Sequence, residues 1–248
     1  MQYMKNLRTK RNRMNSIKEK LGIEFKDEEL LKTALTHRSF LNENRGMELK
    51  NNERLEFLGD AVLELIVSYR LFSTYPNRAE GELTGIRSAL VKTESLAEQS
   101  RKLNIGDFLL MSKGEEDSGG RDKDYLLANA YEAILGAIYI DKGFEECKDF
   151  VERTILKQLD LIVENQLFID PKTKVQELIQ AKYRVTPTYE IVEEKGPDHE
   201  KLFTVVLKIG EKFSCKGHGP SKQKAEEEAA AKAIEKIEKG ELFLNKSI

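Results

Sequence analysis

The apolar residues of this 248-residue chain change their spacing part-way along, and this change most limits how the chain can fold. From residue 16 to about residue 158 they recur at intervals of three and four, which is the period of an α-helix. From Tyr189 to Cys215 they alternate with polar residues, which is the period of a half-buried β-strand. We therefore predict a helical domain followed by a domain that contains a sheet.

The second pattern predicts a compact α-β-β-β-α unit. Asp170 and Pro171 form an N-cap and first-turn pair for a helix. Three alternating segments follow, separated by the turn sequences GPDH and IGEK, and they predict a three-stranded antiparallel meander. A last helix begins at Ser221, after GHGP. The predicted divisions are a basic disordered arm, a helical domain, a linker and the α-β-β-β-α domain, at residues 1–15, 16–158, 159–169 and 170–240.

The run NNERLEFLGDAVLELIVSYRLF, residues 51–72, carries a row of acids through an otherwise apolar helix. The acids are Glu53, Glu56, Asp60 and Glu64, and their spacings of three, four and four keep them on one helix face. Like charges at this spacing cost about 0.2–0.5 kcal/mol per pair. Most helical acids are simply solvated, but this apolar setting favours a cation that offsets the charge.

A second apolar helix, LLANAYEAILGAIYI, holds Glu132, with Asn129 one turn earlier on the same face. A carboxylate is rarely buried unless it is paired or binds a metal. If the two helices cross at these points, Glu56, Asp60, Asn129 and Glu132 form an oxygen-rich cluster. Such a cluster suits Mg²⁺, with Mn²⁺ as a substitute, and Mg²⁺ sites of this kind serve phosphoryl transfer.

A lysine-rich segment, KFSCKGHGPSKQK, lies where the last strand leads into the last helix. It contains four lysines and no acid, and helix N-termini and lysines both favour phosphate. Solvated surface is the usual role of such a cluster, but its position at this corner favours a phosphate-rich ligand.

Several classes of protein and site are disfavoured. No apolar run approaches the roughly 18 residues that a membrane helix needs. Cys147 and Cys215 lie far apart, and the three histidines form no spaced cluster with them, which argues against a disulfide framework and a zinc site. We expect a cytoplasmic protein with no membrane partner and no small-molecule cofactor.

The sequence NERLEFLGDAVL closely resembles the signature of the ribonuclease III family of double-stranded-RNA endonucleases. The elements EGELT, SGGR, YEAILGAIY and PKTKVQELIQ follow at distances similar to those of the family. The unit ending GHGPSKQKAEEEAAAKA resembles a double-stranded-RNA-binding domain. The resemblance implies a mainly α N-terminal endonuclease domain and an α+β C-terminal RNA-binding domain.

The resemblance also implies roles for individual acids. It makes Glu56 and Asp60 the signature metal ligands, makes Glu132 the ligand from the second helix, and makes Glu53 and Glu80 supporting catalytic acids near the scissile strand. It gives Glu64 no role, and we assign that residue to ordinary surface or interface. Many relatives have an aspartate where this chain has Asn129, whose carbonyl oxygen can still act as a ligand but carries no charge.

For the second domain the resemblance implies three regions that contact A-form RNA by its shape. They are the first helix, the turn after the first strand and the start of the last helix, with Thr173, Gln176 and Glu177, then Pro197 and His199, then Ser221, Lys222 and Lys224. Gln223 stands where a basic residue is common in the family.

These expectations combine into a homodimeric, Mg²⁺-dependent endoribonuclease that acts on double-stranded RNA, with Phe57 as an anchor of the dimer. Family chemistry implies 5′-phosphate and 3′-hydroxyl ends with short 3′ overhangs, and a role in processing ribosomal-RNA precursors and other structured transcripts. One alternative is an RNA-binding regulator whose catalysis is weakened by Asn129. Another is a hydrolase of some other phosphate ester.

Overall fold

The computed structural model describes residues 13–46, 48–197, 201–210 and 213–240. The chain divides into two compact units, Met1–Phe168 and Ile169–Ile248. Residues 1–12 of the predicted basic arm lie outside the described residues, whereas residues 13–15 belong to a helix. Among the helices described for this chain, none combines the length and the hydropathy needed to cross a bilayer.

The first unit is built from helices. In chain order they are α1 (residues 13–21), α2 (Glu28–Ala34), α3 (Arg38–Glu43), α4 (Glu53–Thr74), α5 (Glu80–Val91), α6 (Thr93–Lys102), α7 (Lys113–Asp117), α8 (Asp124–Lys142), α9 (Phe144–Arg153) and α10 (Leu159–Glu164). Three short 3₁₀ turns, Ile105–Phe108, Gly120–Asp122 and Ile155–Gln158, connect some of them.

Helix α8 forms the centre of this unit. Nearly every residue from Leu126 to Ile138 is buried, which explains why its sequence is apolar on all sides. Helix α4 packs along it through an apolar face that includes Leu63 and Val67, both fully buried. The two longest helices therefore fix the framework on which the acids are carried.

Two segments are more ordered than their sequences suggest. The polar segment 111–124, predicted as a loop, contains α7, which begins after Ser112 caps its first turn. Arg121, from the SGGR element, donates to the carbonyls of Gly106 and Leu109 at 2.7 and 3.1 Å. Within the predicted linker, Leu159–Glu164 forms α10, because Leu159 and Ile162 lie one turn apart and are buried in the core of the first unit.

The second unit has the predicted α-β-β-β-α order. Its elements are α11 (Pro171–Tyr183), β1 (Thr188–Lys195), β2 (Leu202–Ile209), β3 (Phe213–Gly219) and α12 (Lys222–Glu238). The strands form an antiparallel sheet in the order β1-β2-β3, in which Leu207 lies opposite both Tyr189 and Cys215. The Asp170 carboxylate accepts from the first amides of α11, as an N-cap residue does.

The core of the second unit lies between the sheet and both helices. Val175 and Ile179 of α11 meet Leu207 of the sheet and the alanine face of α12. A Cβ on Gly217 would lie 2.1 Å from the Ala225 carbonyl oxygen, so β3 can approach α12 only because residue 217 has no side chain. The face of α11 opposite this core remains available to a ligand.

Candidate active site and nucleic-acid interface

Helices α4 and α8 cross in backbone contact at two glycines. A Cβ on Gly59 would lie 1.8 Å from the carbonyl oxygen of Glu132 and 2.9 Å from the amide nitrogen of Gly136. A Cβ on Gly136 would lie 2.2 Å from the carbonyl oxygen of Leu55. The lack of side chains at both positions therefore brings the acid-bearing parts of the two helices together.

This crossing brings the four predicted metal ligands into one cluster. Glu56 and Asp60 lie on α4 at either side of Gly59, and Asn129 and Glu132 lie one turn apart on α8. Asn129 lies close enough to the Glu56 carboxylate to oppose the rise of its pKa, and the charges of Asp60 and Glu56 raise the pKa of Glu132. The predicted proximity of these residues is therefore present in the fold.

The cluster carries more negative charge than its surroundings balance. Burial raises the pKa of Glu132 to about 8, and repulsion from Asp60 and Glu56 adds to this effect. Burial also raises the pKa of Glu56, and repulsion from Glu53 adds to this rise although the Asn129 hydrogen bond opposes it. Such carboxyls favour either a bound proton or a bound cation.

The chemistry of the donors fits a hard divalent cation, since three carboxylates and one amide carbonyl are oxygen ligands. In their present conformations, no three His, Cys, Asp or Glu side chains in the described parts of the chain converge closely enough to hold a metal. Rotation of long glutamate side chains would be part of forming a complete ligand shell.

Glu53 has a different environment from the clustered acids. It is the first residue of α4, where the helix dipole favours a negative charge. Its carboxylate lies 3.6 Å from the Arg38 guanidinium and accepts a hydrogen bond from Asn51 at 3.1 Å. Arg38 and Asn51 therefore orient the Glu53 carboxylate at the start of α4.

Glu80 lies in a neighbouring cleft of about 210 Å³ between α4 and α5. It is the exposed first residue of α5 and accepts a hydrogen bond from the Thr84 hydroxyl at 3.0 Å. The same cleft is lined by Ser68 and Arg87.

Glu64, which we expected at ordinary surface or interface, is part of an ion pair between α4 and α5. Its carboxylate is 2.9 Å from the Arg87 guanidinium, both side chains are 37% exposed, and its charge contributes to the raised pKa of Glu132. Sequence reasoning did not single out Arg87. The available signal was its position seven residues after Glu80, which places both side chains on one face of α5.

Phe57 lies on α4 beside the row of acids, and it is 81% exposed. Leu65, Tyr69 and Phe72 continue an exposed apolar row along the same helix. A groove of about 270 Å³ lies beside this row, with Leu65, Tyr69 and Phe144 among its lining residues. Exposed aromatic rows of this kind mark interaction surfaces.

The second unit presents the predicted RNA-contacting residues at its surface. Thr173, Gln176 and Glu177 are exposed on α11. Pro197 is exposed in the turn after β1, and His199 lies outside the described residues.

The start of α12 carries the remaining predicted contacts. Ser221 is its N-cap and accepts from the Lys224 amide at 3.2 Å. The Lys222 ammonium lies 3.4 Å from the Glu194 carboxylate and 5.7 Å from the centre of the Phe203 ring. Lys224 pairs with Glu227 at 3.1 Å. Both lysines are exposed, and exposed ion pairs of this kind are weak enough to exchange for phosphate.

Comparisons with known proteins agree with this architecture. Residues 27–159 match the family described as Ribonuclease-III-like, and residues 171–237 match the Double-stranded RNA binding motif. The chain is 43% identical to Ribonuclease 3 of Borreliella burgdorferi over 92% of this chain and 93% of that protein. It is 46% identical to Ribonuclease 3 of Streptococcus gordonii over 90% and 95% of the two chains.

The first unit is also similar to a solved structure of the nuclease domain of ribonuclease III from Campylobacter jejuni. The TM-score is 0.53 and the identity 48%, over 57% of this chain and 95% of that one. That structure is described as showing flexibility in a region involved in dimer formation. With both of its units matched in sequence, the chain belongs to the ribonuclease III family.

Proposed function

We propose that this protein is an endoribonuclease that hydrolyses phosphodiesters in both strands of double-stranded RNA and depends on Mg²⁺, with Mn²⁺ as a substitute. The observation that carries the proposal is the contact of α4 and α8 at Gly59, which brings Asp60, an exposed residue, and Glu132, a half-buried one, into one acidic cluster. Membership of the ribonuclease III family supports the same activity.

Glu56, Asp60 and Glu132 would hold the metal through carboxylate oxygens, and Asn129 would contribute its carbonyl oxygen. The Asn129 amide group would donate to Glu56, which would orient that carboxylate and leave the carbonyl oxygen for the ion. When bound, the ion would neutralise charge that develops on the scissile phosphate and favour ionisation of the attacking water.

Glu53 and Glu80 would act as supporting acids on either side of this cluster. Arg38 and Asn51 orient the Glu53 carboxylate, and Thr84 orients Glu80. Products with 5′-phosphate and 3′-hydroxyl ends, short 3′ overhangs and a role in ribosomal-RNA maturation are proposed from the family resemblance.

The second unit would hold the duplex. Thr173, Gln176 and Glu177 would face 2′-hydroxyls in a minor groove, while Lys222 and Lys224 would meet phosphates across the major groove. The match to the Double-stranded RNA binding motif supports this assignment. Pro197 and His199 would complete the contact from the turn after β1.

We also propose a two-fold dimer, because cutting both strands requires two acidic sites. In such a dimer the same surface meets itself, so a residue of α4 that meets a given residue of the partner is met by the same pair in return. Phe57 would thereby enter the groove beside Leu65 and Tyr69 of a second copy. Covering this apolar row would remove an exposed patch from water.

The proposal is tested by incubating the protein with labelled double-stranded RNA, with and without Mg²⁺. Cleavage of the duplex, but not of the matching single strand, only with the ion supports it. The alternative of a catalytically weakened RNA-binding regulator is favoured by Asn129 alone and predicts tight duplex binding without cleavage at saturating Mg²⁺. Hydrolysis of a small phosphate ester with no duplex binding would point to the second alternative.

A further inference from the structure

Helices α4 and α5 are linked by a single arginine next to the acidic cluster. The Arg87 Nε lies 2.9 Å from a carboxylate oxygen of Glu64, and another guanidinium nitrogen of Arg87 donates to the Ser68 hydroxyl at 2.8 Å. Glu64 follows Asp60 by one turn of α4, and Ser68 follows Glu64 by another. Arg87 therefore binds the helix face that also carries the metal-site acids.

The same arginine lies on the helix that carries Glu80. Glu80, Thr84 and Arg87 are spaced by four and three residues, so they share one face of α5 and line one cleft. Thr84 in turn donates to Glu80. The two directed bonds of Arg87 thus fix, through α5, the position of Glu80, the proposed supporting acid outside the main cluster.

Arg87 also balances a charge. Glu64 is close enough for its charge to act on Glu132, so an unpaired Glu64 would add to an already negative cluster. An arginine is suited to both tasks, because its guanidinium stays charged and its planar set of donors can bond two acceptors at once. A lysine would keep the charge but not this geometry.

We propose that Arg87 is a positioning residue of the reaction: its bonds to Glu64 and Ser68 hold the Glu80-bearing helix against α4, and its charge cancels that of Glu64 beside the metal cluster. This inference rests on the proposed nuclease function. It differs from a phosphate-binding role, in which Arg87 would contribute to duplex affinity, and from a purely structural role, in which it would contribute to stability alone.

Four variants separate these roles: Arg87→Met, Arg87→Lys, Glu64→Gln and the double variant Arg87→Met/Glu64→Gln. Arg101→Met is the matched control, because Arg101 also joins two helices through an ion pair, to Asp124, and has a similarly exposed side chain. Three quantities are measured for each full-length protein: single-turnover cleavage rate, duplex affinity, and the Mg²⁺ concentration that gives half of the metal-dependent rise in thermal stability. The last readout requires no activity.

Arg87→Met should slow cleavage by about ten-fold or more, because Glu80 would be misplaced for the chemical step. Duplex affinity should change little in this variant. Its unpaired Glu64 should lower the half-stabilising Mg²⁺ concentration by about three-fold or more, because a nearby negative charge attracts the ion. The double variant should restore the wild-type Mg²⁺ concentration but not the rate. Arg87→Lys should have a half-stabilising Mg²⁺ concentration near that of the wild type, because the positive charge remains. It should still cleave more slowly, because lysine lacks the geometry of arginine.

The inference would be overturned if Arg87→Met slowed cleavage no more than Arg101→Met does. It would also be overturned if the half-stabilising Mg²⁺ concentration did not shift in Arg87→Met, or if adding Glu64→Gln did not reverse that shift. A loss confined to duplex affinity would instead make Arg87 an RNA contact. An inert wild-type protein would refute the proposed function, and that result is distinct because the Mg²⁺ shift between variants would still report on the Arg87–Glu64 pair.

Discussion

Replacing Gly59 with alanine should separate the two halves of the acidic cluster. The new Cβ would lie 1.8 Å from the Glu132 carbonyl oxygen, whereas ordinary contact begins at 3.4 Å. The distance between these two atoms would therefore have to increase by about 1.6 Å. The obstructing atoms belong to backbone, so no side-chain rotation can relieve the overlap. Helix α8, with Glu132, must therefore move relative to Asp60.

Gly59→Ala has two opposing effects on the free energy of unfolding, and the sign of the net change shows which effect is larger. Glycine to alanine inside an exposed helix should stabilise by about 1 kcal/mol. Overpacking a tight interface costs about 1–3 kcal/mol, and we expect this cost to prevail at Gly59 because α4 and α8 form the centre of the unit. Misplacing Glu132 by more than 1 Å should also slow cleavage by about 10²-fold.

The assay combines urea unfolding, duplex affinity and single-turnover cleavage at saturating Mg²⁺. Gly114→Ala is the control, because a Cβ there meets nothing within 4 Å and the residue lies in a helix. Gly59→Ala should be destabilised and nearly inactive while still binding duplex RNA through the second unit. A Gly59→Ala protein as stable and as active as Gly114→Ala would refute the helix-crossing argument.

Three further predictions follow from the same structure. Asn129→Asp restores a fourth carboxylate, so it should lower the Mg²⁺ concentration needed for half-maximal cleavage, and a higher requirement in that metal titration would contradict a ligand role. Phe57→Ala should shift sedimentation from dimer towards monomer, and an unchanged dimer would remove Phe57 as an anchor. Neutralising Lys222 and Lys224 to glutamine should weaken duplex binding and reduce the slope of log K against log salt by about 1.8, from about 0.9 for each phosphate contact. An unchanged slope would exclude this end of α12 from the interface.

The sequence predicted the elements whose pattern and chemistry are local. Apolar spacing gave the long helices, and alternation with turn residues gave the three strands of the second unit. The close approach of α4 and α8 could also be anticipated, since Gly59 lies between Glu56 and Asp60 and a second apolar helix carries Glu132.

What the sequence did not predict depends on contacts between distant segments. Helix α10 is short and polar on one side, and only burial of Leu159 and Ile162 against the first unit makes it helical. The pairing of Glu64 with Arg87 joins residues on different helices, and no local pattern specifies it. Glu64 was assigned to ordinary surface or interface because the family resemblance gives it no role, and no local signal indicated its partner.

The central claim is that Glu132 belongs to the catalytic centre of a nuclease that cuts double-stranded RNA. It is tested most directly by comparing cleavage of a labelled RNA duplex by the wild type, Glu132→Gln and the exposed control Glu164→Gln, at saturating Mg²⁺ and with duplex binding measured in parallel. We predict that all three bind the duplex alike, that wild type and Glu164→Gln cleave it, and that Glu132→Gln does not. Cleavage by Glu132→Gln at the wild-type rate, or a wild type that binds but never cleaves, would contradict the account.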